Sequence, residues 1–123
     1  MAEASPLHQV AVAGASGRMG HILIEAIRAS GDCRLAGATD IAASPAIGND
    51  AAAFLGHASG VPVTADLREA LANAEVLIDF TRPDGTLKHL DVCRDLKVNM
   101  VIGTTGFSES QKAQIADAAR DIA

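Results

Sequence analysis

Three glycines stand at a regular spacing near the start of the sequence, in the stretch VAVAGASGRMG, at Gly14, Gly17 and Gly20. An apolar run precedes them and a segment of helical periodicity follows. In that position Gly14 allows a tight turn, Gly17 lets a pyrophosphate approach the main chain, and Gly20 lets the helix pack against the strand. The helix N-terminus also offers free N–H groups and a partial positive charge to an anion. The stretch therefore predicts a dinucleotide site. Its G-x-x-G-x-x-G spacing departs from the commoner G-x-G-x-x-G, and a plain tight turn is the alternative.

Asp40 stands where such a site needs a hydrogen-bond acceptor. It closes the second predicted strand, twenty residues after Gly20, and a carboxylate there accepts a hydrogen bond from an adenosine ribose hydroxyl. The same carboxylate repels a ribose phosphate, and the next residue, Ile41, supplies no cation, so the pair favours NADH over NADPH. Arg18 is a candidate to pair with a phosphate or to stack on adenine. The alternatives are a strand-end or capping role for Asp40 and a solvated surface position for Arg18.

Two further loops follow predicted strands and carry small polar residues. They are FTRPDGT, residues 80–86, and GTTGF, residues 103–107. Ligands of open α/β sheets bind at the carboxyl ends of the strands, and small hydroxyl residues with glycines suit a nicotinamide ribose and ring. Ordinary turn chemistry for Thr104 and Thr105, and a surface cation for Arg82, remain the alternatives.

The elements that position these residues alternate between strand and helix. Strands are predicted over 8–14, 33–40, 61–65, 75–80 and 98–103. Helices are predicted from the glycine turn to a stop at Ser30-Gly31, over 66–72 behind an Asp66 cap, from Pro83 onward, and behind a capping box of Ser108 and Gln111, with a short helical turn near Asp50–Leu55. About five such alternations without a linker predict a single α/β domain with a doubly wound, Rossmann-type parallel sheet.

Apolar spacing predicts the core-facing side of three helices. The predicted faces are Met19, Ile22, Leu23, Ala26 and Ile27 in the first helix; Leu87, Leu90, Cys93 and Leu96 in the helix after Pro83; and Ile115, Ala116, Ala119 and Ile122 in the last, which is expected to run to Ala123.

Composition excludes several classes of function. The 123 residues contain no Trp and no Tyr, which rules out a tyrosine acid such as that of short-chain dehydrogenases. The net charge is −5 and the ten Lys and Arg residues are scattered, so no basic stripe is present for nucleic acid. No apolar run of some twenty residues predicts a membrane span, and the N-terminus lacks the pattern of a secretory signal. A cytoplasmic protein is therefore expected.

Neither cysteines nor histidines form a predicted site. Cys33 and Cys93 are far apart, without a second Cys or His at ligand spacing, so we interpret both as small buried hydrophobes of a reducing compartment. The four histidines show no metal spacing and no nucleophile partner, and His89 is expected on a helix surface. No metal site is predicted.

Three motifs in order, VAGASGRMG, IDFTRPDGTLKHL and MVIGTTGF, resemble the first half of the dihydrodipicolinate reductase family, also called 4-hydroxy-tetrahydrodipicolinate reductase. The resemblance spans nearly the whole chain and is loosest over 41–65. It implies reduction of a cyclic dicarboxylate by NADH or NADPH in lysine and diaminopimelate biosynthesis.

By that resemblance, residues 1–123 form the dinucleotide-binding domain. The cofactor-binding residues implied are Gly14, Ala15, Ser16, Gly17, Arg18 and Met19 at the pyrophosphate, Asp40 at the adenosine ribose, Phe80, Thr81 and Arg82 nearby, and Gly103, Thr104 and Thr105 at the nicotinamide. Thr105 is also implied to lie near the substrate. The family's catalytic histidines, substrate-gripping lysine and oligomer-forming sheet belong to a second domain that this chain does not contain. We therefore expect no catalytic residue and no turnover in the chain alone, and expect the apolar end at Ile122-Ala123 to continue into that domain.

Where some members of the family carry Arg after the acidic ribose residue, this chain has Ile41, which makes NADH preference, or use of both cofactors with Arg18 assisting, our hypothesis. One alternative function is a non-catalytic module that senses NAD(H), which leaves GTTGF without a role. Another is a different dehydrogenase, such as aspartate-semialdehyde dehydrogenase. That chemistry needs a nucleophilic cysteine in a polar pocket, which neither Cys33 nor Cys93 provides.

Overall fold

Five parallel strands form the centre of the computed structural model, which describes residues 7–123. The strands are β1 (His8–Ala13), β2 (Cys33–Thr39), β3 (Val63–Thr64), β4 (Val76–Asp79) and β5 (Asn99–Ile102). Their spatial order is β3-β2-β1-β4-β5, and every neighbouring pair is parallel. The predicted Rossmann-type α/β sheet is thus confirmed, with β3 shorter than expected. Strands β1 to β3 follow one another toward one edge of the sheet, and β4 and β5 follow toward the other edge. The strand order therefore reverses between β1 and β4.

The helices begin where the sequence predicts them. They are α1 (Arg18–Ala29), α2 (Leu67–Leu71), α3 (Pro83–Leu96) and α4 (Glu109–Ala118), with a single 3₁₀ turn at Ala53–Leu55. Asp66 caps α2 by accepting from two main-chain N–H groups, and Ser108 with Gln111 forms the predicted capping box of α4. Proline stands at the first position of α3, where its missing N–H has no intrahelical partner to lose.

Two apolar layers cover the two faces of the sheet. Successive side chains of a strand point to opposite faces, and in β1 this sends Val10 and Val12 into one layer and Ala11 and Ala13 into the other. The first layer packs under α1 and the loop that follows β2. The second layer packs under α2, α3 and the C-terminal segment. Burial on both faces explains why the last four residues of β1, Val10 to Ala13, are all apolar.

The predicted core face of α1 is wrong in part. Met19 and Ile22 are 36% and 52% exposed, and Ala26 is exposed as well. The buried positions are Gly20, Ile24 and Ile27, with Leu23 partly buried. The helix is rotated because Gly20 lies directly against the main chain of the glycine turn, which places Ile24 and Ile27, one and two turns later, over the sheet. In α3, Leu90 and Cys93 are buried as expected, but Leu96 is 39% exposed.

The predicted extent of the last helix is also wrong. α4 ends at Ala118, and a turn brings Ile122 into the core, so the buried positions are Ala118 and Ile122 while Ala116 and Ala119 are exposed. The Met100 N–H then donates to the Ala123 carbonyl, and the Ala123 N–H donates to the Asn99 side chain. The burial of Ile122 and the hydrogen bonds to β5 therefore end α4, although no Gly or Pro follows the helix.

One carboxylate organises the long segment between β2 and β3. Asp50 accepts hydrogen bonds from the N–H groups of Ala52, Ser59 and Gly60 at 2.8 to 3.0 Å and from the Ser59 hydroxyl at 2.7 Å. Burial opposes ionisation of this group, but the four hydrogen bonds together outweigh it and hold the pKa of Asp50 well below its ordinary value. The helical turn expected near Asp50–Leu55 is found just after this residue.

Asp50→Asn is expected to cost about 1 to 2 kcal/mol of unfolding free energy at neutral pH, because the amide replaces one acceptor oxygen by a donor facing N–H groups. Since the folded pKa of Asp50 lies below the unfolded one, its contribution is complete above the unfolded pKa and is lost as pH falls toward the folded value. Urea unfolding followed by circular dichroism at pH 7 and at about pH 3 measures both effects, with exposed Asp91→Asn on α3 as the control. An Asp50→Asn curve that loses stability in acid as steeply as the unsubstituted chain would contradict this account.

Candidate functional site

A cavity of about 1050 Å³ opens at the reversal point between β1 and β4, at the carboxyl ends of the strands. Its walls come from the glycine turn, the end of β2, the segment after β4 and the first half of α3. The lining residues that matter here are Gly14, Ser16, Gly17, Arg18, Met19, Gly20, Asp40, Ile41, Phe80, Thr81, Arg82, Asp84, Lys88 and His89. The structure thus brings the predicted pyrophosphate residues other than Ala15, together with Asp40 and the segment 80–82, around one cavity. Ala15 is buried and lies outside the lining.

The glycine turn has the geometry predicted for it at two positions. Gly14 has φ +71°, a conformation that strongly favours glycine, and a Cβ there would lie 3.1 Å from the Thr81 methyl group. At Gly20 a Cβ would overlap the Gly14 carbonyl oxygen and would come within 2.9 Å of the Ala15 main chain. Gly14 therefore makes the turn, and Gly20 lets α1 approach it.

The N-terminus of α1 is open toward the cavity. Gly17 is its N-cap and provides no side-chain hydrogen bond, and the first turn contains no acidic residue. The main-chain N–H groups of the first turn and the positive end of the helix dipole are therefore available to an anion. The exposed Arg18 adds a full positive charge at the same place.

Asp40 lies at the cavity wall, as the sequence predicts, but its carboxylate is already engaged. One oxygen accepts from the Ser16 N–H at 2.9 Å and from the Ser16 hydroxyl, and the other accepts from the Ile41 N–H at 2.8 Å. The Asp40 carboxylate thus links the glycine turn to the end of β2 through hydrogen bonds. Each carboxylate oxygen has two lone pairs, so the Ile41-bound oxygen keeps one to accept from a ribose hydroxyl.

The segments after β4 and β5 pack against each other rather than lining one surface. The Phe80 ring lies directly over Gly103, where any Cβ would overlap it. Thr104 is buried, and its hydroxyl accepts from the Thr81 N–H and from the Thr86 hydroxyl, both at 2.9 Å. Gly103, Thr104 and Thr105 lie outside the lining of the cavity, and only Thr105 of the two threonines has an exposed side chain.

The sequence analysis did not predict two residues of the site, Asp79 and His89. Asp79 is completely buried at the end of β4, and its Oδ2 lies 2.6 Å from His89 Nδ1. His89 is only 20% exposed and lines the cavity, so its predicted place on a helix surface is wrong. The available signal was an acid inside the apolar run VLIDF, because a carboxylate buried in a strand needs a partner.

The cavity is lined by more positively than negatively charged side chains. Three cations, Arg18, Arg82 and Lys88, face two carboxylates, Asp40 and Asp84, although the whole chain carries −5. This distribution suits an anionic ligand that also bears neutral hydroxyl groups.

Cys93 is not a nucleophile in this structure. The thiol is fully buried in α3, and burial first, then the nearby Asp79 carboxylate, raises its pKa to about 12. We expect iodoacetamide at about pH 8 to leave Cys93 unmodified in the folded chain and to modify both cysteines in urea, as peptide mass spectrometry can show. Rapid labelling of Cys93 without denaturant would instead support a thiol mechanism.

Among residues 7–123, no group of three His, Cys, Asp or Glu side chains is placed to hold a metal ion. Within the same described range, no helix has the length and apolar character needed to cross a membrane.

Comparisons with known proteins agree on one family. Residues 8–123 match the family model described as dihydrodipicolinate reductase, N-terminus. Proteins named 4-hydroxy-tetrahydrodipicolinate reductase from Herminiimonas arsenicoxydans and from Janthinobacterium sp. (strain Marseille) are 63% and 59% identical to the chain over 115 residues, which is 94% of this chain and 43% of each relative.

Two solved structures share the fold. The dipicolinate-bound dihydrodipicolinate reductase of Paenisporosarcina sp. TG-14 has a TM-score of 0.71 at 24% identity, over 93% of this chain and 43% of that one. An amine dehydrogenase from Mycobacterium smegmatis has a TM-score of 0.63 at 24% identity, over 80% of this chain and 30% of that one. The chain spans less than half the length of the curated relatives it matches.

Proposed function

The chain belongs to the dihydrodipicolinate reductase family, whose N-terminal region it matches, and from this we propose that it is the NADH- or NADPH-binding domain of a 4-hydroxy-tetrahydrodipicolinate reductase. The observation that carries the proposal is the cavity between β1 and β4, where the glycine turn and the uncapped N-terminus of α1 form one wall. Main-chain N–H groups, the helix dipole and Arg18 converge there on the position that a pyrophosphate would take.

The cofactor would then extend in both directions from the glycine turn. The free acceptor capacity of Asp40 suits the adenosine ribose on the β2 side. Phe80, Thr81 and Arg82 lie on the β4 side, where the nicotinamide half would lie. Gly103 supports this side indirectly, because its missing side chain leaves room for the Phe80 ring beside the main chain just after β5.

In the whole protein this domain would serve hydride transfer to a cyclic dicarboxylate. Bound NADH or NADPH supplies the hydride. The reaction also needs an acid to protonate the reduced product and a cation to bind the two carboxylates of the substrate. We infer that the part of the protein that this chain does not span supplies both groups and builds any oligomer, with Thr105 the residue here closest to the substrate.

We also propose that NADH is preferred over NADPH. Asp40 carries a negative charge where a 2′-phosphate would lie, and Ile41 beside it is 71% exposed and uncharged. A measured preference of tenfold or more for NADPH would contradict this part of the proposal.

Thermal unfolding of the chain tests the binding site directly. Calorimetry suits it, since the protein has no Trp and no Tyr. A ligand at about a hundred times its dissociation constant adds about 2.7 kcal/mol to stability, which for a domain of this size raises Tm by roughly ten degrees. We expect that rise with NADH, a smaller one with equal NADPH and none with inorganic phosphate at the same concentration. An unchanged Tm with both dinucleotides would overturn the proposed function.

A further inference from the structure

A buried carboxylate lies behind the cavity and holds three chain segments together. Asp79 has no exposed surface, and its hydrogen bonds reach the segment after β4, α3 and the segment after β5. The Thr81 hydroxyl donates to Asp79 Oδ1 at 2.5 Å, and His89 Nδ1 lies 2.6 Å from Asp79 Oδ2. The Thr104 hydroxyl lies 3.5 Å from Oδ1.

The hydroxyl groups around Asp79 form one connected cluster. Thr104 accepts from the Thr81 N–H and from the Thr86 hydroxyl, so its own hydrogen is directed to the main chain or the carboxylate of Asp79. Thr86 is completely buried, and none of the buried side-chain polar atoms in the described residues lacks a hydrogen-bond partner. A cluster satisfied in this way is rigid, because moving one member breaks several bonds.

Burying a carboxylate at this depth costs folding free energy, and an apolar side chain of similar volume would stabilise the core at least as well. The position of the cluster gives a reason for the charge. Thr81 and His89 line the cavity and bond directly to Asp79, and Thr104 ties the segment carrying Gly103 and Thr105 to the same carboxylate.

The bond to Asp79 also fixes the His89 ring. The contact between Nδ1 and Asp79 Oδ2 sets the orientation of the ring, which lines the cavity.

We propose that Asp79 is a positioning residue for the nicotinamide ring of the cofactor. It acts by holding Thr81 and His89, which line the cavity, in the arrangement that the ring contacts, while Thr104 joins the same cluster from the segment after β5. The proposal rests on the proposed function, since it assigns an end of the dinucleotide to this side of the cavity.

The test compares NADH with ADP-ribose, which shares everything except the nicotinamide, by calorimetric titration of the chain. The unsubstituted chain is expected to bind NADH more tightly than ADP-ribose. Asp79→Asn is expected to weaken NADH binding about tenfold, which corresponds to a loss of about 1.4 kcal/mol of binding free energy. The affinity for ADP-ribose is expected to change less than twofold. The control is Asp50→Asn, which also breaks a cluster of hydrogen bonds to a carboxylate but lies outside the cavity, and which should leave the ratio of the two affinities unchanged.

Should Asp79→Asn fail to fold, Thr86→Val takes its place, because it removes one hydroxyl of the cluster from a residue too buried to touch a ligand. It is expected to reduce the NADH affinity selectively, by a smaller factor. Equal losses for both ligands, no loss for either, or equal binding of both by the unsubstituted chain would each overturn the role of Asp79. Failure of the unsubstituted chain to bind either ligand would instead overturn the proposed function.

Discussion

Gly20→Ala is expected to remove detectable NADH binding and to lower the free energy of unfolding by about 2 to 3 kcal/mol. The added methyl group would overlap the Gly14 carbonyl oxygen and press on the Ala15 main chain, and neither neighbour is a side chain that can rotate away. The start of α1 must then move off the glycine turn. That displacement carries the N–H groups of the first turn away from the position proposed for the pyrophosphate, so stability and binding are expected to fall together.

Gly31→Ala is the matched control, because its Cβ would meet nothing within 4 Å and it follows the end of α1. Urea unfolding and calorimetric titration of the two variants separate the local clash from the general effect of replacing glycine. If Gly20→Ala bound NADH as tightly as Gly31→Ala, close packing at Gly20 would have no part in forming the site.

Ile41→Arg is expected to raise the affinity for NADPH at least tenfold relative to NADH. Ile41 lines the cavity with most of its side chain in solvent, so an arginine fits without disturbing the core. A guanidinium beside Asp40 can pair with the 2′-phosphate through two parallel hydrogen bonds and offset the repulsion from the carboxylate. A tenfold change corresponds to about 1.4 kcal/mol, which is close to the lower end of what one hydrogen bond to a charged group contributes.

Ile22→Arg supplies the control for Ile41→Arg. It adds the same charge at an exposed position of α1 that is not part of the cavity lining. The ratio of NADPH to NADH affinity, titrated at one fixed salt concentration, should rise only in Ile41→Arg. Equal ratios in both variants would mean that residue 41 does not face the 2′ position, and that the preference for one cofactor is set elsewhere.

Much of the site follows from short-range pattern. The glycine turn, the acid at the end of β2 and the segment after β4 each stand directly behind a predicted strand. The carboxyl ends of parallel strands meet at one edge of the sheet, so their meeting around the cavity could be predicted without coordinates. The caps of α2 and α4 are equally local, since a cap bonds to N–H groups only two or three residues away.

The sequence by itself determined the order of strands and helices, their approximate bounds and the residues at the strand ends, because each depends on neighbours along the chain. Only the tertiary structure decided which face of α1 is buried, where α4 ends, and that Asp79 pairs with His89 while the Thr104 hydroxyl points inward. The rotation of α1 is set by the contact between Gly20 and the turn, and the end of α4 by the burial of Ile122 beside β5. The Asp79 cluster joins residues up to 25 positions apart. Partners at that separation are chosen by how the elements pack, and no local spacing encodes that choice.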